Sequence, residues 1–137
     1  MSMTTRTTWE ALAARCREAT ASDILLDGDI EIAADQIPAG YTRRDSITWI
    51  YPVPPFIQLV YSAKPLTTSI DAIVSLIEKT LPGSGWSINQ RLGEQEAFAE
   101  IETRSYTVSA KGVSYTPALA LCAAYCMARA GMEDDAP

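Results

Sequence analysis

The sequence contains no histidine among its 137 residues. Histidine is the commonest general base in enzymes, and it completes the Ser–His and Cys–His pairs that activate nucleophiles. Without it, a zinc site would have to combine cysteines with a carboxylate. The sequence also has no glycine-rich phosphate-binding motif. We therefore predict a protein that is not an enzyme, with no catalytic residues, no cofactor and no metal.

Cysteine is scarce as well: the chain has three, Cys16, Cys122 and Cys126. An odd number without a regular spacing argues against a disulfide framework. All three fall in segments that we predict to be helical. No charged residue stands beside Cys122 to lower the pKa of its thiol. We interpret the cysteines as small buried hydrophobic residues of a protein in a reducing compartment.

Positive charge is outnumbered, with 11 lysines and arginines against 17 acidic residues and a net charge of −6. An acidic chain has no basic surplus with which to bind nucleic acid or an anionic membrane directly. No apolar run reaches the roughly 18 residues that a transmembrane helix needs. The first residues also lack the apolar stretch of a signal peptide. These absences predict a cytoplasmic protein.

The most distinctive feature that is present is a C-terminal apolar segment, Thr116–Gly131. Thr116 suits the N-cap of a helix, and Pro117 suits its first position because a proline N–H is not needed there. Gly131 suits a left-handed C-terminal residue. Between these ends the only charge is Arg129. We predict a buried helix around which the rest of the fold packs.

Three further helices are predicted from start signals and apolar periodicity. The first begins with Thr7 as its N-cap and carries a buried stripe formed by Trp9, Leu12, Ala13, Cys16 and Ala19. The third begins with Thr68 as its N-cap. The four predicted helices span residues 7–20, 23–37, 68–81 and 116–131. The chain is interpreted as one domain, residues 1–137, with disordered tails at 1–6 and 132–137.

The second predicted helix carries acidic residues four apart, on the side opposite its apolar face. They are Asp23, Asp27, Glu31 and Asp35. Such a row is typical of a solvated helix face, or it imitates a row of phosphates to a basic partner. Asp29 lies within the apolar arc and should be either at a boundary of the buried surface or hydrogen-bonded. Gly28 indicates a close approach by another element.

Two β-rich segments, 47–51 and 56–61, are apolar on both faces and are joined by a proline-rich link. They predict a hairpin in a sheet that is covered on both faces. The alternative is an exposed contact patch made of Trp49, Tyr51 and Tyr61. Further strands are predicted at 86–92, with Trp86, Ile88 and Leu92 inward, at 97–102, and at 106–109. The last two are either separate strands or one long strand with a bulge.

The order of elements predicts a mixed α/β fold of the α+β type. About four helices should cover a mainly antiparallel sheet of four to five strands on both faces. Glu100 and Glu102 lie on one side of the strand predicted at 97–102, where the two carboxylates could together bind a divalent cation. A solvated strand face is the preferred interpretation.

Three segments together resemble a family of small proteins from phages and alphaproteobacterial prophages, the phage α-β-α sandwich domain. They are residues 22–30, 67–72 and 116–124, and the last, TPALALCAA, is the most specific. The resemblance implies a three-layer α/β/α sandwich and a phage origin. It carries no catalytic residues.

We therefore expect a small non-enzymatic phage or prophage accessory protein in the host cell cytoplasm. It would bind and inhibit a host protein or ribonucleoprotein, such as a CRISPR or other defence complex, and form a homodimer. The alternatives are a binding protein for signalling nucleotides, with Trp49, Tyr51, Arg43 or Arg44 in its pocket, and a homo-oligomeric phage structural or assembly protein. The residues expected to contact a partner are Asp23, Asp27, Glu31, Asp35, Trp49, Tyr51 and Tyr61.

Overall fold

The computed structural model describes residues 4–53, 57–90, 96–103 and 109–133. Within these residues the chain forms four helices and six strands. The helices are α1 (Arg6–Glu18), α2 (Ile24–Ala33), α3 (Ile70–Thr80) and α4 (Pro117–Met132). The strands are β1 (Thr42–Arg43), β2 (Thr48–Val53), β3 (Ile57–Ser62), β4 (Gly85–Asn89), β5 (Ala97–Glu102) and β6 (Ser109–Ser114).

The strands form two separate sheets. Sheet A has the order β1-β2-β3 and sheet B the order β4-β5-β6, and every pair of neighbours is antiparallel. The predicted mixed α/β class with four helices is confirmed. The prediction of four to five strands in one sheet is wrong, because each sheet has three. Helix α3 lies between β3 and β4 in the sequence. On each side of it, the described strands pair with strands next to them in the sequence.

Some strands lie where no strand was expected. The two residues of β1 are polar, so no alternation marks them. Strand β6 includes Lys111–Ser114, which the sequence pattern favoured as a connection. Residues 104–108, which hold most of the strand predicted at 106–109, lie outside the described residues. So do Leu92, residues 1–3 and residues 134–137.

Helix α4 is the centre of the fold. One side packs against α1, and the other packs against β5 and β6. Strand β6 comes so close that a Cβ on Gly112 would overlap the Ala120 carbonyl oxygen and the Ala124 backbone nitrogen. The predicted cap is confirmed, since the Thr116 side chain accepts a hydrogen bond from the Leu119 backbone N–H at 3.1 Å. The predicted end at Gly131 is wrong, because the helix continues through it to Met132.

Helix α1 begins slightly earlier than predicted. Thr5, not Thr7, is its N-cap and accepts a hydrogen bond from the Thr8 backbone N–H at 3.2 Å. The buried stripe is confirmed for Trp9, Leu12, Ala13 and Cys16. The Trp9 ring meets the Tyr125 ring of α4 edge-on, with centroids 5.8 Å apart. The stripe thus fixes α1 against the central helix.

Helix α3 has the same kind of start. Its N-cap is Ser69, one residue after the predicted Thr68, and its side chain accepts a hydrogen bond from the Ala72 backbone N–H at 3.2 Å. Ile73 and Ile77 are buried, whereas Ile70 is exposed. The helix packs on α4. The Thr80 and Tyr125 hydroxyls hydrogen-bond at 2.8 Å near its end.

Helix α2 connects the helical core to sheet A. It is shorter than predicted, because it ends at Ala33 and Asp35 then takes a positive φ of 57°. The close approach predicted at Gly28 is confirmed, since a Cβ there would overlap the Ser46 carbonyl oxygen and lie 3.2 Å from the Trp49 ring. Only glycine lets the helix sit this close to the hairpin.

The β2–β3 hairpin is confirmed, with Trp49 opposite Tyr61 and Tyr51 opposite Leu59. Trp49 is buried against α2. The predicted cover over both faces is wrong: Leu59 is 48% exposed and Val60 is 58% exposed. Sheet A therefore leaves apolar side chains in contact with solvent.

Sheet B has one buried side. Along β5, Ala97, Ala99 and Ile101 are buried, and the alternate residues are exposed. Trp86 and Ile88 were predicted to point inward with them. Ile88 is half-buried, but Trp86 is exposed at the start of β4.

Candidate functional site

The acidic row on α2 is largely inside the protein. Asp27 is 3% exposed and Glu31 is 1% exposed. The prediction that the row faces solvent is therefore wrong for these two residues. The reason is that the connection from β3 to α3 folds over this side of α2, as the hydrogen bonds of both carboxylates show.

The buried carboxylates bind that connection. One Glu31 oxygen accepts a hydrogen bond from the Lys64 backbone N–H at 2.7 Å, and the other accepts one from the Tyr61 hydroxyl at 2.9 Å. The Asp27 carboxylate accepts a hydrogen bond from the Thr67 backbone N–H at 2.7 Å. We refer to Asp27 and Glu31, with these partners, as the α2 carboxylate clamp. Its bonds account for the burial of two charges that water would otherwise solvate.

The two outer residues of the row have different environments. Asp23 is the N-cap of α2 and accepts hydrogen bonds from the Leu25 and Leu26 backbone N–H groups at 2.9 and 3.2 Å. Asp35 is exposed just beyond the end of the helix. The four acidic residues thus do not form one accessible strip that a basic partner can contact.

Burial changes the ionisation of Asp27 and of Tyr61. Desolvation raises the pKa of Asp27 above its ordinary value, and the hydrogen bonds from Thr67 oppose that shift in part. The pKa of Tyr61 is also raised, first by burial and then by its hydrogen bond to the Glu31 carboxylate. Tyr61 therefore stays protonated and acts as the donor to Glu31.

Next to the clamp, Asp29 is the centre of an ion-pair cluster. It contacts Arg15 at 2.7 Å and Arg43 at 3.2 Å, so the predicted hydrogen bonding of Asp29 is confirmed. The Arg43 guanidinium also donates to the Ser46 carbonyl oxygen at 2.7 Å and lies 5.1 Å from the centroid of the Trp49 ring. Arg43 therefore joins sheet A to α2, and each of its three guanidinium nitrogens donates a hydrogen bond within the chain.

An open groove of about 670 Å³ lies between the start of α1 and the end of α2. Arg15, Asp29 and Ile32 are among its lining residues. Trp49, Tyr51, Arg43 and Arg44, which the sequence suggested as a ligand pocket, do not line this groove. The groove offers threonine hydroxyls and one ion pair next to apolar side chains.

The three aromatic residues considered as a contact patch do not form one exposed surface, because Trp49 and Tyr61 pack against each other edge-on with ring centroids 6.2 Å apart. Trp49 is in the core, and Tyr61 is half-buried with its hydroxyl on Glu31. Tyr51 alone is exposed, at 41%. The Tyr41 ring packs against it with centroids 5.5 Å apart, and Leu59 faces it across the hairpin. We call Tyr41, Tyr51 and Leu59 the sheet A patch.

Sequence reasoning missed Tyr41 and Leu59. One signal was available: Gly40, whose φ is +85°, immediately precedes Tyr41. A Cβ on Gly40 would lie 2.6 Å from the Tyr51 ring. The glycine therefore lets the two tyrosines pack together, but only a structure identifies which ring it approaches.

The cysteines lie in the core, as predicted. All three are buried and unpaired as disulfides. The Cys122 thiol donates to the Leu66 carbonyl oxygen at 3.2 Å. Burial raises the pKa of both Cys122 and Cys126. Neither thiol is positioned as a nucleophile, because the reactive thiolate form is disfavoured.

Glu100 and Glu102 are exposed on the outer side of sheet B, as the strand pattern predicted. Glu100 lies opposite Lys111 in the register of β5 and β6. Within the described ranges, no group of three or more histidine, cysteine or acidic residues is arranged to hold a metal ion.

No family model, curated protein or solved structure matches the chain. Among the helices of the described residues, none combines the length and apolar character needed to cross a membrane.

Proposed function

We propose that the chain is a non-enzymatic protein-binding module and that the sheet A patch is its contact surface. The observation that carries the proposal is the exposure of Tyr51 and Leu59, at 41% and 48%, beside each other on the hairpin. An exposed tyrosine provides rigid apolar contact area, and tyrosine is enriched at the energetic centres of protein interfaces. Leu59 beside it enlarges the exposed apolar surface.

The biological setting that we propose is a phage or prophage accessory protein. It binds and inhibits a host protein or ribonucleoprotein, such as a CRISPR or other defence complex, in the host cytoplasm. Support comes from the resemblance of residues 22–30, 67–72 and 116–124 to the phage sandwich family and from the small acidic chain. The burial of Asp27 and Glu31 moves the proposed contact away from phosphate mimicry by α2 and towards the patch.

A paired-variant capture experiment tests this proposal. Tagged wild-type protein, Tyr51→Lys/Leu59→Lys and a control, Phe98→Lys, are used as baits in host lysate, and captured proteins are quantified by mass spectrometry. Phe98 is a matched control because it is 47% exposed but lies on sheet B. We expect one host component to be lost from the patch variant and retained by the control. Equal capture by all three baits would contradict the patch as the contact surface.

A second candidate function is supported by the groove between α1 and α2. Its volume of about 670 Å³ suits a small ligand such as a signalling nucleotide. Arg15 on its wall would face a phosphate, although it is already paired with Asp29. Native mass spectrometry with a panel of cyclic nucleotides tests this idea, with Arg15→Ala as the variant. Unchanged masses across the panel would exclude it.

The three-layer α/β/α sandwich is also a proposal for the architecture. It is supported by the antiparallel pairing, by α4 on one face of sheet B and by α2 against sheet A. An experimental structure tests it: we expect helices on both sides of the layer that the two sheets form, and helices on one side only would contradict the sandwich.

A further inference from the structure

Strand β3 is an edge strand whose free side is open among the described residues. It pairs with β2 on one side, and no described strand pairs with its other side. The direction of its backbone groups follows from one hydrogen bond: Ala63 donates its N–H to the Ile47 carbonyl oxygen at 2.7 Å.

Hydrogen-bonded positions alternate along an antiparallel pair. Since the backbone N–H of Ala63 is hydrogen-bonded on the side of β2, the backbone groups of Tyr61 and Leu59 also point towards β2. The backbone N–H and C=O groups of Val60 and Ser62 therefore point to the free side. They present donors and acceptors in the pattern that another antiparallel strand requires.

The side chains of this edge favour pairing rather than prevent it. Natural edge strands are usually protected by charges, prolines or bulges. Strand β3 contains no charged residue and no proline, and its register with β2 runs through six consecutive pairs. Leu59 on one face and Val60 on the other are both about half exposed, at 48% and 58%. An uncharged strand also avoids the like-charge repulsion that a chain of net charge −6 would otherwise bring to a self-contact.

We infer that β3 pairs antiparallel with β3 of a second copy of this chain, with the two-fold axis at Val60. The two copies then share one continuous six-stranded sheet. In this register Val60 faces its own counterpart, and Leu59 faces Tyr61 of the other copy. Strand β3 is self-complementary in this register. On one face Val60 packs against Val60 of the other copy, and on the other face Leu59 packs against the Tyr61 ring.

This interface does not rest on the proposed function, although the two surfaces share Leu59. Pairing would cover Val60 and part of Leu59, whereas Tyr51 lies one strand further from the axis. An extended segment of a different protein is the competing occupant of the same edge. It would leave the isolated chain monomeric, so the two occupants give opposite results with purified protein.

Purified protein is first examined by size-exclusion chromatography with light scattering across micromolar to submillimolar concentrations. We expect a mass twice that of the 14.9 kDa chain for wild type. Val60→Lys should give a monomer with an unchanged circular dichroism spectrum, because two lysines would oppose each other at the axis. Tyr51→Lys should remain dimeric. Its result therefore distinguishes the dimer interface from the proposed contact surface, which includes Tyr51. A monomeric wild type, or a Val60→Lys variant that remains dimeric, would overturn it.

Cysteine cross-linking tests the register. The Cα atoms of a hydrogen-bonded antiparallel pair are about 5.5 Å apart, within the range that a disulfide spans. Val60→Cys should therefore form a covalent dimer under mild oxidation. Ser62→Cys is the matched control, because its two copies would be offset by four residues, or about 13 Å. We expect at least about tenfold less cross-linking for it. Equal cross-linking of both variants would indicate random collision and overturn the register.

Discussion

Glu31 of α2 accepts a hydrogen bond from the Tyr61 hydroxyl of β3 at 2.9 Å, while only 1% of Glu31 is exposed. The second carboxylate oxygen accepts the Lys64 backbone N–H at 2.7 Å. Both oxygens of a buried charge are thereby satisfied, which is the condition for its stability. This contact fastens the end of β3 to the helix and places Val60 at the free edge of the sheet.

Replacing Glu31 with alanine should destabilise the protein far more than the same replacement of an exposed acidic residue. Glu31→Ala leaves the Tyr61 hydroxyl and the Lys64 N–H without their acceptor, so we expect a loss of about 2–4 kcal/mol in the free energy of unfolding. Tyr61→Phe should cost about 1 kcal/mol. Urea denaturation of the single and double variants gives their coupling energy. A loss no larger than that of the exposed control Glu78→Ala would show that Glu31 is not buried in this way.

The contribution of Asp27 to the stability of the protein should depend on pH. Burial raises its pKa in the folded state above the ordinary value of 3.8. The folded protein then binds the proton more tightly than the unfolded chain, so the contribution of Asp27 to stability is greatest at low pH. It is lost as the pH rises from about 3.8 through the raised pKa. Asp27→Asn cannot ionise but keeps an acceptor for Thr67. The stability of wild type relative to Asp27→Asn should therefore fall in denaturation experiments as the pH rises from about 3.8 through the raised pKa of Asp27. A difference that stays constant or rises would contradict the shift.

Much of the fold could be predicted from the sequence because its signals are local. The cap at Thr116, the stripe through Trp9 and Leu12, and the strand at 97–102 depend on residues within a few positions of one another. Asp29 was also predictable, because a carboxylate inside an apolar arc needs a partner.

The carboxylate clamp could not be predicted in the same way. The donors to Glu31 and Asp27 include backbone N–H groups 33 and 40 residues away, at Lys64 and Thr67. A backbone donor has no residue type to mark it in a sequence. Periodicity therefore assigned both carboxylates to the solvent side. The division of the strands into two sheets escaped prediction for a related reason, since strand partners are set by long-range packing.

The native cysteines should resist thiol reagents. All three are buried, and burial raises the pKa of Cys122 and Cys126. Ellman's reagent at mildly alkaline pH should label no thiol in the folded protein and all three in urea. A Glu78→Cys variant, whose added thiol lies at an exposed position of α3, should gain one rapidly labelled thiol. Stoichiometric labelling of the native wild type would place a cysteine at the surface.

Replacing Asp35 with glycine should stabilise the folded protein. Its φ of 57° lies in the left-handed region, where a side chain is strained and glycine is not. We expect Asp35→Gly to raise the free energy of unfolding by about 0.5–1 kcal/mol. The control is Asp71→Gly in the first turn of α3, where the same change should be destabilising by about 1 kcal/mol. Thermal denaturation of both variants measures the contrast, and a loss of stability in Asp35→Gly would contradict the strain.

Gly28 should not tolerate alanine, although it lies within a helix. In an ordinary helix interior, alanine is about 1 kcal/mol more favourable than glycine. Here the added Cβ would overlap the Ser46 carbonyl oxygen, a backbone atom that cannot rotate away, and would also crowd the Trp49 ring at 3.2 Å. We expect a net loss of about 1–3 kcal/mol, because overpacking outweighs helix propensity.

Gly85→Ala is the matched control for that change. No atom lies within 4 Å of the Cβ that it would add, so its effect should stay within about 0.5 kcal/mol. Chemical denaturation gives both values, and amide chemical shifts of sheet A report whether the hairpin moves. If Gly28→Ala stabilised the protein as it does in an isolated helix, α2 would not rest against Ser46. The position of the β3 edge relative to the core would then have to be revised, because the same helix holds Tyr61 through Glu31.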